Sequence, residues 1–336
     1  MIQSDSGVLI WQSYLTLQKM GLDANRIFAG VRHPPEPPDK TIRRDNAIQQ
    51  HFWAIAEKIS GDSDIGLHVG EHFPLLRGEI LEYLFLSSET LKDGFIRAFQ
   101  YQKILTTAFQ FDLQTDGKMS MIKGLNYPIR HYLECAICLT LNFLSYITDK
   151  QFVAKEIWLP YVDGASLEEY LRIWNCPVKL GMPEGKIIFD STLLELKSAS
   201  FEPTLLKIHE KIADQQVKII EKYDLIYQIE SIFNQGLLET GTANLTTVAK
   251  LLKIQPRTLR ADLTLIDTNF EKILANYREK TAKKLLANPN ISIDQIVYLL
   301  GFSEPSAFSR AFKRWTSESP TQYRQRKLEQ LDCSDN

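Results

Sequence analysis

The chain has 336 residues, 44% hydrophobic and 24% charged, with four cysteines; this length suits two domains that each bury a core, and the cysteine count excludes a disulfide framework. The net charge is only −2, but it is unevenly placed: residues 242–327 carry 15 Lys and Arg against 7 Asp and Glu, and the rest carries 24 against 34. A basic C-terminal module on an acidic body is the asymmetry of a protein with a separate nucleic-acid-binding domain.

The opening MIQSDSGVLIWQSYL lacks a basic segment followed by an apolar stretch of signal-peptide length. The longest apolar stretch, residues 135–147, is interrupted by Thr140, Asn142 and Ser145 and is too short to span a bilayer. The expectation is a cytoplasmic protein without a membrane partner. Residues 8–29 read as one helix, marked by Leu9, Ile10, Tyr14, Leu17 and Ile27. HPPEPPD, residues 33–39, reads as a polyproline-like connector. Thr41 suits the cap of a helix through residues 49–58, ended by Gly61, with Phe52, Ile55, Ala56 and Ile59 on one stripe. His68, Glu71 and His72 spell H-x-x-E-H, a spacing that can hold zinc. Gly70 sits inside it, Phe73-Pro74 ends it, and no third ligand follows. The reading is a short amphipathic helix with solvent-facing histidines and no metal.

Residues 91–107 read as a helix, and residues 108–114 and 118–123 as strands joined by a hairpin at Asp116-Gly117. Residues 130–148 form a helix whose Cys135 and Cys138 face the core. KEIWLPY and GKIIFD read as two further strands with a helix over 166–173 between them, and PVKLGMPEGKIIF as a short β-pair. The N-terminal domain is therefore α+β. It shows no Gly-rich phosphate loop, nucleophile elbow or paired carboxylates, so no catalytic residue, cofactor or enzymatic activity is expected.

Residues 203–220 form an amphipathic helix, and Asp224 suits the cap of a second over 225–238; two helices in series here suit either pairing of subunits in a homodimer or docking onto the N-terminal domain. TTVAKLL and PRTLRADLTLI make a first helix-turn-helix, with Leu259 and Leu263 inward and Arg257, Thr258 and Arg260 outward as candidate groove contacts. Residues 270–287 form a long helix that would hold two reading heads at a fixed separation; its Lys280, Lys283 and Lys284 suit phosphates or solvent equally. Ile296, Val297, Leu299 and Leu300 mark a short helix that Gly301 ends, with Ser303 as the next N-cap and Glu304 and Pro305 in the first turn. The following helix turns Ala307, Phe308, Ala311, Phe312 and Trp315 inward and Ser306, Ser309, Arg310, Lys313 and Arg314 outward. This is a second helix-turn-helix, so the C-terminal domain is all-α. Gln322 and Arg324 are candidate contacts to the DNA backbone.

GFSEPSAFSRAFKRWTSESPTQYR closely resembles the signature of the AraC/XylS family of transcription regulators. The resemblance implies that Ser306, Ser309 and Arg310 reach base edges, while Lys313 and Arg314 suit phosphates. Family members commonly place further cations after Arg260, where this chain has Ala261 and Asp262; a carboxylate there repels phosphates and weakens the first head. GLHVGEHF, LSSETLKDGFIRAFQYQKIL and PYVDGASLEEYLRIWNCPVKLGMPEGKIIF are similar to the N-terminal domain of one branch, often labelled arabinose-binding, whose members answer to diverse small molecules. What these resemblances imply is a sequence-specific regulator with a ligand-sensing domain over 1–202, a connecting helix over 203–222, a DNA-binding domain over 223–328 and a tail over 329–336. Its expected partners are double-stranded operator DNA, a small-molecule effector, a second copy of itself and RNA polymerase. One alternative is a DNA-binding regulator controlled by a partner protein or by abundance. Another is an enzyme fused to a DNA-binding module, which would want an activated cysteine; Cys135, Cys138 and Cys176 lie in no recognisable active-site motif.

Overall fold

The computed structural model describes residues 3–31, 38–40 and 42–332, with the backbone alone for 330–332. Most of the polyproline-like stretch and the Thr41 cap lie outside the described residues. The chain divides into two units, Met1–Val217 and Lys218–Asn336.

The first unit opens with β1 (Ser4–Asp5), α1 (Gly7–Lys19), α2 (Ala24–Gly30) and β2 (Arg44–Asp45), the two strands pairing antiparallel. The single helix expected over 8–29 is thus two. Gly21 takes φ 78°, and the Asp23 side chain accepts from Arg26 N at 3.0 Å to start the second. Next come α3 (Gln49–Ser60), α4 (Ile65–His72), α5 (Ile80–Leu86) and α6 (Leu91–Tyr101). Helix α5, which the periodicity had not marked, buries Ile80, Leu81, Leu84 and Phe85; a seven-residue apolar run has too little polar contrast to show a period. Helix α6 ends six residues before the expected position, tightening into a 3-10 turn over Gln102–Ile104, where Gln102 Oε1 accepts from Phe111 N at 2.8 Å.

After these lie β3 (Asp112–Asp116), β4 (Met119–Lys123), α7 (Arg130–Ile147), β5 (Ala154–Trp158), α8 (Leu167–Trp174), β6 (Val178–Lys179) and β7 (Lys186–Asp190). The strands form one five-stranded sheet in the order β3-β4-β7-β5-β6. The expected β3–β4 hairpin is present, with Asp116 opposite Met119. The expected pairing within PVKLGMPEGKIIF is not: β6 lies parallel to β5, and β7 pairs antiparallel with β4 and β5. Val178 and Lys179 are placed by the turn out of α8, where Asn175 takes φ 52°.

Helix α7 is the central strut. Its Leu133, Ile137 and Cys138 belong to a cluster with Phe95, Ile122, Ile157 and Phe189 at the sheet, while Cys135 joins Leu17, Phe28, Phe52 and Trp53 from the first helices. Fully burying each such side chain contributes about 1.5–3 kcal/mol. Helix α4 lies close along α7 because it has glycines at the contact. A Cβ at Gly66 would sit 2.3 Å from His131 Cα, and one at Gly70 would sit 2.6 Å from Cys138 Cβ.

Helix α9 (Pro203–Ile232) is one continuous helix, not two in series. Nothing between Lys222 and Leu225 is a glycine or proline, and Asp224 caps only where the preceding backbone has left the helix. It gives way to a distorted turn over Phe233–Leu237, where Gly236 takes φ 88°. The second unit continues with α10 (Leu245–Leu251), α11 (Pro256–Leu265), α12 (Phe270–Leu286), α13 (Ile293–Leu299), α14 (Pro305–Thr316) and α15 (Pro320–Asp332). It contains no strand among the described residues. The architecture is therefore a two-domain one, α+β followed by all-α.

Candidate functional site

Two helix-turn-helix heads occupy the second unit. In the first, the Asn244 side chain caps α10 through Thr247 N at 2.9 Å, Lys253 turns the chain at φ 59°, and Pro256 opens α11. Leu259 and Leu263 are buried with Val248, Ala249 and Phe270. That rotation of α11 leaves Arg257, Thr258 and Arg260 exposed; Ala261 is exposed as well, and Asp262 is half-buried.

In the second head, Ser292 and Gln295 form a reciprocal capping box at the start of α13, with bonds of 2.8 and 3.1 Å. Gly301 ends α13 at φ 65°. Glu304, not Ser303, is the residue before α14, and its side chain makes no capping bond; Pro305 at the first helical position removes one of the amides a cap would serve. Phe308, Ala311 and Phe312 are buried. Ser306, Arg310, Lys313 and Arg314 are exposed, and Ser309 is half-buried. The Arg310 guanidinium lies 3.7 Å from Glu304, with the two side chains 71% and 61% exposed. A pair that open to water is worth under about 1 kcal/mol, so Arg310 is available to another anion or to a base edge.

Helix α12 is built into both heads. Phe270, Ile273, Leu274 and Tyr277 belong to the first core, and Ala282 and Leu286 to the second. Its 17 residues make a strut of about 25 Å. Arg278 fastens it further: Nε donates to Leu300 O at 2.8 Å, Nη2 donates to Gly301 O at 3.0 Å, and the guanidinium lies 4.6 Å from the Phe302 ring centre. Reading by motif passed over Arg278, yet its place beside the buried stripe of α12 was a signal that this cation faces protein. Arg324, expected to touch DNA, instead donates to Leu286 O and Ile291 O at 3.3 and 2.7 Å. Gln322 accepts from Ser319 N at 3.0 Å. Lys283 pairs with Glu279 at 2.5 Å, while Lys280 and Lys284 are exposed.

In the first unit the H-x-x-E-H residues do lie on a helix; His72 is exposed as expected, while His68 and Glu71 are taken up in ion pairs. His68 does not face solvent: its Nδ1 is 2.6 Å from Asp62 and its Nε2 is 3.0 Å from Glu169. Arg172 donates to both carboxylate oxygens of Glu71, at 2.7 and 2.8 Å. Burial works against a charged imidazole, but the Asp62 and Glu169 carboxylates outweigh it and raise the His68 pKa. Arg172, with His68, holds Glu169 down at about 2. The depressed Glu169 stabilises above its ordinary 4.5, and that contribution is lost as pH falls towards 2. The raised His68 stabilises below its ordinary 6.5, and that contribution is lost as pH climbs past its folded value. The cluster is thus at full strength between about pH 4.5 and 6.5. The difference in unfolding midpoint between wild type and His68→Ala should peak in that window and shrink on either side; a difference flat in pH would show an uncharged cluster. Cys135 and Cys138 are buried as expected, and burial pushes both thiols up, Cys138 to about 12. Among the described residues no group of His, Cys, Asp and Glu could hold a metal ion.

Sequence reading named no ligand residue, but the first unit holds a partly open cavity of about 190 Å³ among α1, α3, α5, α6 and α7. Phenylalanines 28, 52, 73, 85, 95, 99, 109, 111 and 143, together with Trp53 and Tyr132, make up its aromatic wall. Its polar corner is Asp5, a buried carboxylate that accepts from Tyr132 Oη at 2.6 Å, Gln49 Nε2 at 2.9 Å and Asn46 Nδ2 at 3.4 Å. Burial raises the Asp5 pKa, and these hydrogen bonds only partly offset it. Residues from α1 to α7, more than a hundred positions apart, build this wall, and no local motif could have shown it.

Two family models match the chain: the arabinose-binding domain of AraC transcription regulators over residues 21–198 and a helix-turn-helix domain over residues 248–326. An uncharacterized HTH-type transcriptional regulator of Mycobacterium tuberculosis is 41% identical, covering 91% of this chain and 92% of that protein. The HTH-type transcriptional regulator VqsM of Pseudomonas aeruginosa is 38% identical over 86% of this chain and 91% of its own length. The ornithine utilization regulator of the same organism is 21% identical over 91% of each. Among solved structures, the transcriptional regulator CdpR from Pseudomonas aeruginosa is similar at a TM-score of 0.41 and 19% identity, over 83% of this chain and 95% of that one. Among the described residues no helix is long and apolar enough to cross a membrane. With an arabinose-binding-type domain over more than half its length and full-length regulator relatives, the chain belongs to the AraC family of DNA-binding transcription regulators.

Proposed function

We propose that this regulator is sequence-specific and is controlled by a small molecule held in the cavity of its N-terminal unit. On the DNA side, Arg257, Thr258 and Arg260 of α11 contact the groove and Ser306, Ser309 and Arg310 of α14 reach base edges, with Lys313 and Arg314 on phosphates. The observation that carries this reading is α12: each half is buried in a different head, so two exposed cationic faces are held as one device. Asp262 beside Arg260 makes the first head the weaker reader, because an acidic group near phosphates repels them. The functional divisions we propose are sensing over 1–202, a connector over 203–222, DNA binding over 223–328 and a tail over 329–336. Leu205, Ile208 and Ile212 leave an exposed apolar row on α9, which supports a homodimer. The proposed setting is the bacterial cytoplasm, with RNA polymerase as a further partner; a relative named for ornithine utilization supports control linked to metabolism.

Replacing Arg310 with alanine tests the base-reading role. Affinity for the cognate duplex should fall by roughly 1–3 kcal/mol, with relaxed preference at one base position, while affinity for random duplex changes little. An equal loss on both duplexes would place Arg310 on phosphate instead.

A further inference from the structure

Resting on the reading of the N-terminal cavity as the effector site, we infer that its ligand is an uncharged, compact and mainly apolar molecule with one hydrogen-bond donor and one acceptor, neither a sugar nor a carboxylate. Three observations lead there. The first is the charge of the wall. Among the described residues no lysine, arginine or histidine lines the cavity, whereas Asp5, Glu79 and Glu82 do. An anion placed there would be desolvated with no countercharge from the lining side chains, which is unfavourable. A cation fares no better. Asp5 already takes three donors, and Glu82 accepts from Gly78 N at 2.5 Å and Tyr146 Oη at 2.8 Å. Burial pushes Glu79 towards its neutral form.

The second observation is how little polar capacity remains. Ser13 and Thr140 donate to backbone carbonyls at 2.9 and 2.8 Å, and Gln102 both donates to Phe99 O and accepts from Phe111 N. A pentose would bring several hydroxyls, and each one buried without a partner loses its hydration with nothing in return. The aromatic wall offers them nothing.

The third observation fixes the head of the ligand. Among the described residues Gln49 Oε1 and Trp53 Nε1 are buried with no hydrogen-bond partner, on residues that are 6% and 3% exposed and both line the cavity. They stand four positions apart, on one face of α3, as an acceptor beside a donor. An amide, lactam or hydroxyl head is the chemistry that meets both, provided the two side chains turn to it. The volume of about 190 Å³ is somewhat larger than the ~150 Å³ that admits benzene, which suits a ring with a small polar substituent.

Thermal unfolding of the full chain with benzamide, benzoate, toluene and L-arabinose at equal millimolar concentrations tests this. Benzamide should raise the midpoint by about 2–4 °C when in excess over its dissociation constant; benzoate at pH 7 and arabinose should leave it unchanged. Trp53→Phe should reduce the benzamide shift to that of toluene, and Ala136→Phe, which fills the cavity, should abolish both. Where Ala136→Phe does not fold, xenon uptake by wild type, displaced by benzamide, locates the site independently. A larger shift with benzoate or arabinose overturns the ligand class and leaves the effector-site reading standing. Toluene stabilising as well as benzamide overturns the donor–acceptor head alone. No shift with any probe and no xenon uptake overturns the effector-site reading with it.

Discussion

Arg130→Ala should cost about 3–5 kcal/mol of unfolding free energy, because it strands a carboxylate that water cannot reach. The Glu134 side chain is 0% exposed and accepts from Arg130 Nε at 2.8 Å, from Tyr161 Oη at 3.0 Å and from Tyr170 Oη. Arg130 also pairs with Asp64, which fastens the start of α7 to the segment leading into α4. Without the guanidinium, a fully buried carboxylate is left to two tyrosine hydroxyls and to His131, whose Nδ1 lies 4.0 Å from Oε2. Chemical denaturation measures the loss, and adding Glu134→Gln to the variant should recover a large part of it, since a neutral amide needs no countercharge. A loss under about 1 kcal/mol, the scale of an exposed pair, would contradict this account of α7.

Gly301→Ala is the second large effect, expected at roughly 2–5 kcal/mol: about 1–2 from the left-handed backbone and 1–3 from overpacking. Gly301 takes φ 65°, and a Cβ there would lie 2.3 Å from Leu238 O. Leu238 belongs to the core of the first head, while Gly301 is the turn of the second. The clash therefore falls on the joint that Arg278 also ties. Arg278→Ala should act at the same joint by freeing the Leu300 and Gly301 carbonyls, so denaturation of the double variant should show less than additive losses. Additive losses would mean that the two residues brace different contacts.

The second unit was largely legible because its information is local. Gly301, Pro256 and Pro305 mark helix ends by backbone geometry, and Leu259, Leu263, Phe308 and Phe312 mark buried faces by period, so the exposed arginines follow from rotation alone. The places that misled are those where a local preference met a tertiary one. Asp224 is a good cap in isolation, yet α9 runs through it. Arg324 looks like a DNA contact, yet two carbonyls near the end of α12 claim it. In the first unit the β3–β4 hairpin was readable from Asp116-Gly117, but the partner of β6 was not, since a two-residue strand carries no register of its own. Gly70 argued against zinc from sequence for its helix-breaking character; in the structure its role is to let α4 approach Cys138. The cavity is the extreme case: Asp5, Gln49, Trp53 and Tyr132 meet only after five helices have packed.

Selection of duplexes from a random pool by the full-length protein tests the central claim most directly. Two heads on one rigid α12 should enrich sites with two sequence elements about one helical turn, roughly 10–10.5 base pairs, apart. The element read by α14 should be the sharper of the two. Enrichment of a single short element, or of two elements at variable spacing, would contradict a paired reading device held by α12.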